Sequence, residues 1–375
     1  MSTSSRLHSL DALRSTMMLL CVIFHSALAY AVYAPFPVKD IQRSPGYDYM
    51  LVSLLTFGMP VFFVMAGLFS HLVYQKRGAK AFLQDRLKRI LLPFLAGWLL
   101  ICPLVQIVCN YYSGHIPVAQ SLASWYNLSI YQNLPTHHLW FLYYLFQICL
   151  LMLLILFWSP ALLRRLYQQI LQLITQQEKN TIWLIFALAI LSAGFIVLMQ
   201  QGTIATDNTF IPNVPLLLLY TGYFGFGFLL YSLGNSMYYL FRQWKLWLIL
   251  SFPISIVYFL LVITFHLTGG IWLLLATSGF CALLSWLMIF GLIGLFHKYF
   301  SADNKIMGFL SQASYWVYLI HFPLVIWVAG YQSTLDIFHL VKYIVSLFFS
   351  VTVLLLSYKY LVQYTPIRWL LNGRK

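Results

Sequence analysis

Long apolar stretches alternate with short polar linkers along almost the whole chain. Because an α-helix needs about 20 apolar residues to cross a bilayer, this pattern predicts an all-α, polytopic membrane protein with about ten transmembrane helices. We expect one transmembrane domain over residues 1–375, with the longest linkers at 110–137 and 159–180. The predicted spans are residues 14–34, 49–74, 90–109, 138–158, 181–200, 215–240, 246–266, 271–296, 307–329 and 343–363.

Composition supports this class of protein. Hydrophobic residues make up 61% of the 375 residues and charged residues only 8%, whereas soluble proteins average about 25% charged residues. These values exclude a soluble enzyme, a disordered chain and a disulfide-rich secreted scaffold. The five cysteines lie in apolar runs without zinc-site spacing, so we interpret them as buried thiols and predict no metal site: Cys21, Cys102, Cys109, Cys149 and Cys281.

The basic residues predict the orientation in the membrane. The chain carries 22 Lys and Arg against 8 Asp and Glu, and cytoplasmic loops of membrane proteins are enriched in Lys and Arg. With a cytoplasmic N-terminus, 19 basic residues fall inside and only Lys39, Arg43 and Lys342 fall outside. We therefore predict that both termini are cytoplasmic, and we expect no nucleic-acid partner despite the net charge of +14. The alternative, a signal peptide cleaved near Ala27-Leu28-Ala29, would invert this alternation.

The first predicted span has a polar face. Arg14 and His25 are eleven residues apart, which at about 100° per residue places them on one side of a helix, about 16 Å apart along its axis. Asp11 lies on this face before Arg14, and Cys21 lies between them and His25. Taken alone, Arg14 could be an anchor at the helix end and His25 could bond a neighbouring helix. Their alignment favours a shared functional site, since ionisable residues inside a membrane are costly.

This span resembles the Arg-x10-His signature of the acyltransferase-3 family of membrane proteins. Residues 10–14 and 365–374 are similar to the branch of that family that succinylates periplasmic glucans. Four further segments resemble family motifs in the same order: Phe62-Phe63-Val64-Met65-Ala66-Gly67, with Ala66 where Ser is commoner; Arg86-Leu87-Lys88-Arg89-Ile90-Leu91-Leu92-Pro93; His138-Leu139-Trp140-Phe141-Leu142; and Ser314-Tyr315-Trp316-Val317-Tyr318-Leu319-Ile320-His321-Phe322-Pro323.

The resemblance implies a multi-pass O-acyltransferase of the bacterial inner membrane. Such an enzyme moves an acyl group, succinyl or acetyl, from cytoplasmic acyl-CoA to a hydroxyl of a periplasmic or cell-envelope carbohydrate. Acyl-CoA is then a co-substrate, no permanently bound cofactor is expected, and the lipid bilayer and the carbohydrate are the expected partners. A secondary transporter and a glycan-export scaffold are the alternatives, although the chain has no evident internal repeat and no buried carboxylate pair for ion coupling.

Histidine is well suited to deprotonate a hydroxyl near neutral pH, so we interpret His25 as the general base. His321, at a similar depth in the ninth predicted span, is a second catalytic candidate, with a packing histidine as the alternative. We expect Pro323 to break that helix locally, because proline lacks a backbone N–H. Tyr315 and Tyr318 on the same span are candidates for substrate binding or for helix packing.

The phosphates of the donor need a basic site on the cytoplasmic side. Arg86 and Arg89, with Arg14 above them, are the candidate acyl-CoA ligands because arginine makes bidentate contacts with phosphate. The alternative is that these residues only set the topology. On the opposite side, His138 and Trp140 are candidates for binding the acceptor, and Trp140 could instead be an interfacial aromatic residue.

Three further features complete the predictions. Asp11 joins Arg14, His25 and His321 in the predicted catalytic set. Cys21, one turn before His25, could carry the acyl group first, but the sequence places no cation nearby to stabilise its thiolate, so direct transfer is preferred. A run of three glycines on the sixth predicted span is expected to allow close helix packing rather than nucleotide binding: Gly222, Gly225 and Gly227.

Overall fold

The regular structure of the chain is helical wherever it is described. The computed structural model describes residues 3–126, 135–158, 168, 181–234 and 237–372. All regular elements in these ranges are helices, which confirms the predicted all-α fold. The α-helices are α1 (Thr3–Ala27), α2 (Pro45–Arg86), α3 (Leu92–Gly114), α4 (Val118–Tyr126), α5 (Trp140–Trp158), α6 (Thr181–Leu198), α7 (Val214–Ser232), α8 (Met237–Leu240), α9 (Trp244–Thr268), α10 (Ile271–Tyr299), α11 (Lys305–Gln332), α12 (His339–Ser357) and α13 (Pro366–Asn372).

Nine helical segments within the described ranges are long and apolar enough to cross a membrane, so the protein is a multi-pass membrane protein. One of them, Pro45–Gly114, is 70 residues long and contains both the second and the third predicted spans. Within it, a π-helical turn at Leu87–Leu91 joins α2 to α3, and the backbone leaves helical geometry at Gly78, where φ is 75°. Nine continuous segments therefore correspond to the ten spans predicted from hydropathy.

Some boundaries differ from the prediction. The predicted outer linker 110–137 contains helix α4, and α3 extends into it. The sixth predicted span, 215–240, ends early at Ser232, because Gly234 adopts a φ of 59° that an α-helix cannot continue through. Hydropathy misses this end because the apolar run continues beyond it. Some predicted features lie outside the described residues: 127–134, the linker 159–180 apart from residue 168, and the basic residues Arg164, Arg165, Lys179, Arg374 and Lys375.

Helices α2 and α7 approach each other closely through glycine. A Cβ atom on Gly67 would lie 1.9 Å from the carbonyl oxygen of Phe224, and one on Gly227 would lie 1.8 Å from that of Val64. No side chain fits at these distances, so the two backbones meet directly. The predicted packing role of the glycine run is therefore confirmed at Gly227, while the other two glycines of the run have no atom within 4 Å of such a Cβ.

Helices α1 and α11 pack along one another and carry most of the predicted site, with α3 and α12 flanking α11. Helix α11 runs without interruption from Lys305 to Gln332, so the predicted break at Pro323 is wrong. Proline removes one hydrogen bond from a helix, but the helix can continue when the freed carbonyl finds another donor. That donor is a histidine from the turn before α5, described below.

Two long-range polar contacts agree with the predicted alternation of sides. Lys342 Nζ lies 2.7 Å from Asp40 Oδ2, which joins two segments predicted to be outside. Arg368 Nη2 donates to Gln312 Oε1 over 3.1 Å, which joins a segment predicted to be inside to the inner end of the ninth predicted span. Which of these two ends faces the cytoplasm stays a prediction.

Reporter fusions test this orientation. A fusion at Lys80 is expected to report the cytoplasm and one at Gln120 the periplasm, because basic residues concentrate on the side of Lys80. Paired alkaline phosphatase and fluorescent-protein fusions in whole cells provide the measurement. A fusion after Lys375 should match the one at Lys80. Equal signals at Lys80 and Gln120, or reversed signals, would contradict the predicted topology.

Candidate functional site

Three histidines from α1, α11 and the turn before α5 form a cluster. His25 Nδ1 lies 3.1 Å from His321 Nε2, and the ring centroids of His138 and His321 are 5.2 Å apart. His138 and His321 are buried, whereas His25 is only partly buried. The sequence predicted each of these residues from a separate motif, and the fold brings them together. Within the described ranges, no group of three or more His, Cys, Asp or Glu residues could hold a metal ion.

Backbone carbonyls determine which nitrogen carries the proton in two of these rings. His321 Nδ1 lies 2.7 Å from the carbonyl oxygen of Tyr318, so Nδ1 is the N–H donor and Nε2 carries the lone pair. His25 Nδ1 lies 2.8 Å from the carbonyl oxygen of Cys21 and also faces His321 Nε2, so it is a donor too. The lone pair of His25 is therefore on Nε2, where it is available to accept a proton.

Phe322 is a component of the cluster that the sequence analysis did not select. Its ring centroid lies 4.7 Å from that of His25 and 5.1 Å from that of His138. It therefore packs against both imidazoles and limits their movement. Its position directly after His321 in the last family motif was the available signal, but an apolar residue in an apolar span is not distinctive.

The hydroxyl groups of Tyr315 and Tyr318 bind backbone carbonyls of other predicted site residues. Tyr318 donates to the carbonyl oxygen of His138 over 2.6 Å, and Tyr315 donates to that of Arg89 over 2.7 Å. These bonds attach the segments that carry His138 and Arg89 to α11. Direct contact of either tyrosine with a substrate stays a prediction.

A cavity of about 960 Å³ lies at the predicted cytoplasmic ends of α1 and α11. Its wall includes the three arginines that were predicted to bind acyl-CoA, Arg14, Arg86 and Arg89. It also includes Lys305 and Arg368, which the sequence analysis did not select. Arg368 comes from the C-terminal helix α13, so only the tertiary structure could bring it there. The inner part of the wall is apolar and includes Met18, Phe62, Phe141 and Leu142.

Acidic residues hold the arginines of the cavity in position. Asp85 Oδ2 lies 3.0 Å from Arg86 Nη2, and Asp85 Oδ1 lies 3.0 Å from Arg89 Nε. The spacing of Asp85 and Arg89, one helical turn, was a signal for this pair. The paired arginines are thereby preorganised in one wall of the cavity.

Asp11 is the ion-pair partner of Arg14. Its Oδ1 lies 3.1 Å from Arg14 Nη2, and the same nitrogen donates to Ser311 Oγ over 2.8 Å. Because α1 is continuous, Asp11 lies about 21 Å along the axis from His25. The structure therefore places Asp11 with the cavity and not with the histidine cluster, and its predicted catalytic role stays a prediction.

Trp140 lies in an aromatic group away from the cavity wall. Its ring centroid is 5.7 Å from that of Tyr144 and 5.8 Å from that of Tyr220, and the side chain is buried. This environment is typical of a packing residue, and the predicted contact with the acceptor stays a prediction.

Helices α1 and α11 connect the cavity to the histidine cluster. Met18 and Ser314 belong to the cavity wall, and each precedes a clustered histidine, His25 or His321, by seven residues. Seven helical residues extend about 10 Å. A cationic cavity and a histidine cluster about two helical turns apart on the same helices favour the hypothesis of a membrane enzyme with a charged substrate.

Comparison with known proteins identifies this enzyme class. A model of the acyltransferase-3 family, described as an acyltransferase domain, matches residues 7–359. The chain therefore belongs to the acyltransferase-3 family and is a membrane acyltransferase. This confirms the resemblance found in the sequence, and it favours acyl transfer over the transporter and scaffold hypotheses.

Two relatives extend over nearly the whole chain. "Glucans biosynthesis protein C" from Salmonella gallinarum (strain 287/91 / NCTC 13346) is 22% identical over 375 residues, which cover 98% of this chain and 95% of the relative. The protein of the same name from Escherichia coli (strain SMS-3-5 / SECEC) is 23% identical over 389 residues, with 99% and 95% coverage. Their name agrees with the predicted glucan branch. No solved structure gives a significant match to the chain.

Proposed function

We propose that this acyltransferase moves a short acyl group, succinyl or acetyl, from acyl-CoA to a hydroxyl of a periplasmic or cell-envelope carbohydrate, and that it works in the bacterial inner membrane. The observation that carries the proposal is a cationic cavity that lies about two helical turns from a histidine cluster along α1 and α11. The name of the relatives supports a glucan as the acceptor.

The cavity suits the charged end of acyl-CoA. Its volume of about 960 Å³ is at the upper end of the range for small-molecule sites, about 300–1,000 Å³. Arg14 Nε and Arg86 Nε are buried and have no hydrogen-bond partner among the described residues. Guanidinium groups make strong charge-assisted hydrogen bonds with phosphate oxygens, so the arginines of the cavity wall would bind the phosphates of acyl-CoA.

The uncharged part of the donor would extend from the cavity to the histidines. The apolar wall at Met18, Phe141 and Leu142 suits the uncharged pantetheine arm and would exclude the phosphates of acyl-CoA. The thioester would then lie beside His25, about 10 Å beyond the cavity wall. The carbohydrate would approach His25 from the opposite side of the membrane.

His25 Nε2 would accept the proton of the attacking hydroxyl as its oxygen forms a bond with the thioester carbon. The C–S bond then breaks, and the CoA thiolate takes the proton back from Nε2, which yields the ester and free CoA. Throughout, the Nδ1–H group keeps its bond to the Cys21 carbonyl and faces His321 Nε2. The lone pair of His321 would stabilise the positive charge on His25, so His321 acts as a positioning residue.

Acyl transfer by purified protein in lipid nanodiscs tests this function. Radiolabelled succinyl-CoA and acetyl-CoA are supplied separately with a periplasmic glucan, and labelled glucan ester and free CoA are measured. We expect one donor to support transfer, which also identifies the acyl group. Mass spectrometry of envelope glycans from a deletion strain should show the loss of the same ester. Absence of transfer from both donors, with no ester lost from the deletion strain, would contradict the proposal.

The donor site can be tested with the double variant Arg86→Ala and Arg89→Ala. It is expected to weaken acyl-CoA binding by at least tenfold, because each lost charge-assisted hydrogen bond is worth about 1.5–3 kcal/mol. The matched control replaces the exposed pair Lys76 and Arg77 of the same segment by alanine, which should leave donor affinity unchanged. Titration with acyl-CoA provides the measurement. Unchanged affinity in the first variant would assign Arg86 and Arg89 to topology alone.

A further inference from the structure

Helix α11 holds His138 through two consecutive residues. The Tyr318 hydroxyl donates to the backbone carbonyl of His138 over 2.6 Å, and His138 Nε2 lies 2.9 Å from the backbone carbonyl oxygen of Leu319. The His138 side chain is 5% exposed. Because a carbonyl oxygen can only accept, the Nε2 atom of His138 is the N–H donor. The position of this ring and the nitrogen that carries its proton are therefore both determined by α11.

The carbonyl of Leu319 is available because of Pro323. In an α-helix this carbonyl accepts from the N–H group four residues later, which is residue 323, and proline has no N–H group. An unsatisfied carbonyl within a membrane is energetically unfavourable, because no water is present to donate to it. His138 supplies the missing donor, which explains why α11 continues through Pro323 without a break.

The other nitrogen of His138 is left with a lone pair. His138 Nδ1 is buried and has no hydrogen-bond partner among the described residues. The ring lies against His321 and Phe322, at centroid distances of 5.2 Å and 5.1 Å, and the same two rings contact His25. With Nε2 held as the donor, Nδ1 can only accept, so the group that satisfies it must be a donor such as a hydroxyl.

We infer that Pro323 is a positioning residue and that His138 determines acceptor specificity. Pro323 leaves the Leu319 carbonyl free to hold His138, and His138 Nδ1 then accepts a hydrogen bond from a second hydroxyl of the acceptor, near the hydroxyl that His25 deprotonates. The acceptor class is therefore a carbohydrate with two neighbouring hydroxyl groups. The acceptor part of this inference rests on the proposed function, whereas the link between Pro323 and His138 does not.

The link itself is tested by thermal unfolding, which needs no activity. In the wild type, His138→Ala removes the donor to the Leu319 carbonyl and is expected to lower the midpoint clearly. In a Pro323→Ala background the N–H of residue 323 satisfies that carbonyl, so His138→Ala should lower the midpoint by less. Pro253→Ala, at a proline inside α9, is the matched control background. Equal losses in all three backgrounds would overturn the link.

The specificity role is tested by kinetics in nanodiscs. His138→Ala should raise the KM for the carbohydrate acceptor by about tenfold or more, since it removes an acceptor for a substrate hydroxyl. The KM for acyl-CoA should not change. Pro323→Ala should also raise the KM for the acceptor. In a protein that already carries His138→Ala, adding Pro323→Ala should cause no further rise in this KM. His138→Gln, whose amide can both donate and accept, should recover part of the loss.

Acceptor analogues give the final comparison. The wild type should prefer an acceptor with two neighbouring hydroxyl groups over its deoxy analogue with one, and His138→Ala should lose this preference. Wild-type transfer without such a preference, or an unchanged acceptor KM in His138→Ala, would overturn the inference while the proposed function stands. A His138→Ala variant as inactive as His25→Ala at saturating acceptor would also overturn it, because His138 would then be the base. Failure of transfer by the wild type is a separate result that contradicts the proposed function.

Discussion

Replacing His25 by alanine is expected to lower the rate of acyl transfer by about 10²–10⁴, the usual contribution of a general base. The Nδ1–H group of His25 is directed at the Cys21 carbonyl and His321, which leaves Nε2 as the proton acceptor. Binding of acyl-CoA should persist, because the cavity lined by the cationic side chains ends about two helical turns before His25. The measurement pairs single-turnover transfer with acyl-CoA titration of the same preparation.

His266 offers a matched control for this variant. Its Nδ1 lies 2.9 Å from the carbonyl oxygen of Val262, the same local bond that His25 makes to Cys21, but its side chain is exposed on α9. His266→Ala should therefore remove an equivalent helical contact and leave transfer intact. If His25→Ala kept more than about a tenth of the wild-type rate, against the loss expected for a base, the base would have to be sought elsewhere in the cluster.

The same assay separates direct transfer from a relay through Cys21. The Cys21 side chain is buried, and His25 is bonded to its backbone carbonyl, a bond that Cys21→Ser preserves. We expect Cys21→Ser to remain largely active. If this variant were as inactive as His25→Ala, and if incubation with donor alone acylated Cys21 in the wild type by mass spectrometry, transfer would proceed through a covalent intermediate.

Replacing Lys342 by methionine is expected to destabilise the protein by about 3–5 kcal/mol, as for other broken buried ion pairs. Lys342 Nζ lies 2.7 Å from Asp40 Oδ2 and 2.8 Å from the carbonyl oxygen of Leu335, and both charged side chains are 1% exposed. The substitution leaves the carboxylate of Asp40 buried without its cation. Thermal unfolding in detergent micelles measures the effect.

Two further variants make this prediction specific. Asp336→Ala removes an exposed acid from the loop before α12, whose contact is a 3.2 Å bond from Gln42, and should change the unfolding midpoint little. Adding Asp40→Leu to Lys342→Met should restore much of the stability, because no uncompensated charge then stays buried. A Lys342→Met protein as stable as the wild type would show that the pair contributes nothing to the fold.

The sequence by itself determined the class of protein, most of the membrane spans and the polar face of the first helix. These properties depend on local quantities, namely the length of apolar runs and the angle between residues along one helix, so they can be read without knowing which helices touch. The alignment of Arg14 with His25 is of this kind. The family motifs then selected His321, His138 and Arg86 for their residue types, although not for their contacts.

Only the tertiary structure decided which groups meet. His138 and His321 are far apart in the chain, and their contact depends on where the turn before α5 lies against α11. The entry of Arg368 into the cavity depends likewise on where α13 lies. The clearest case is Pro323, which the sequence predicted to break its helix. A local pattern shows that proline leaves a carbonyl without a donor. The donor that satisfies it comes from the turn before α5, and this long-range hydrogen bond exists only in the folded chain.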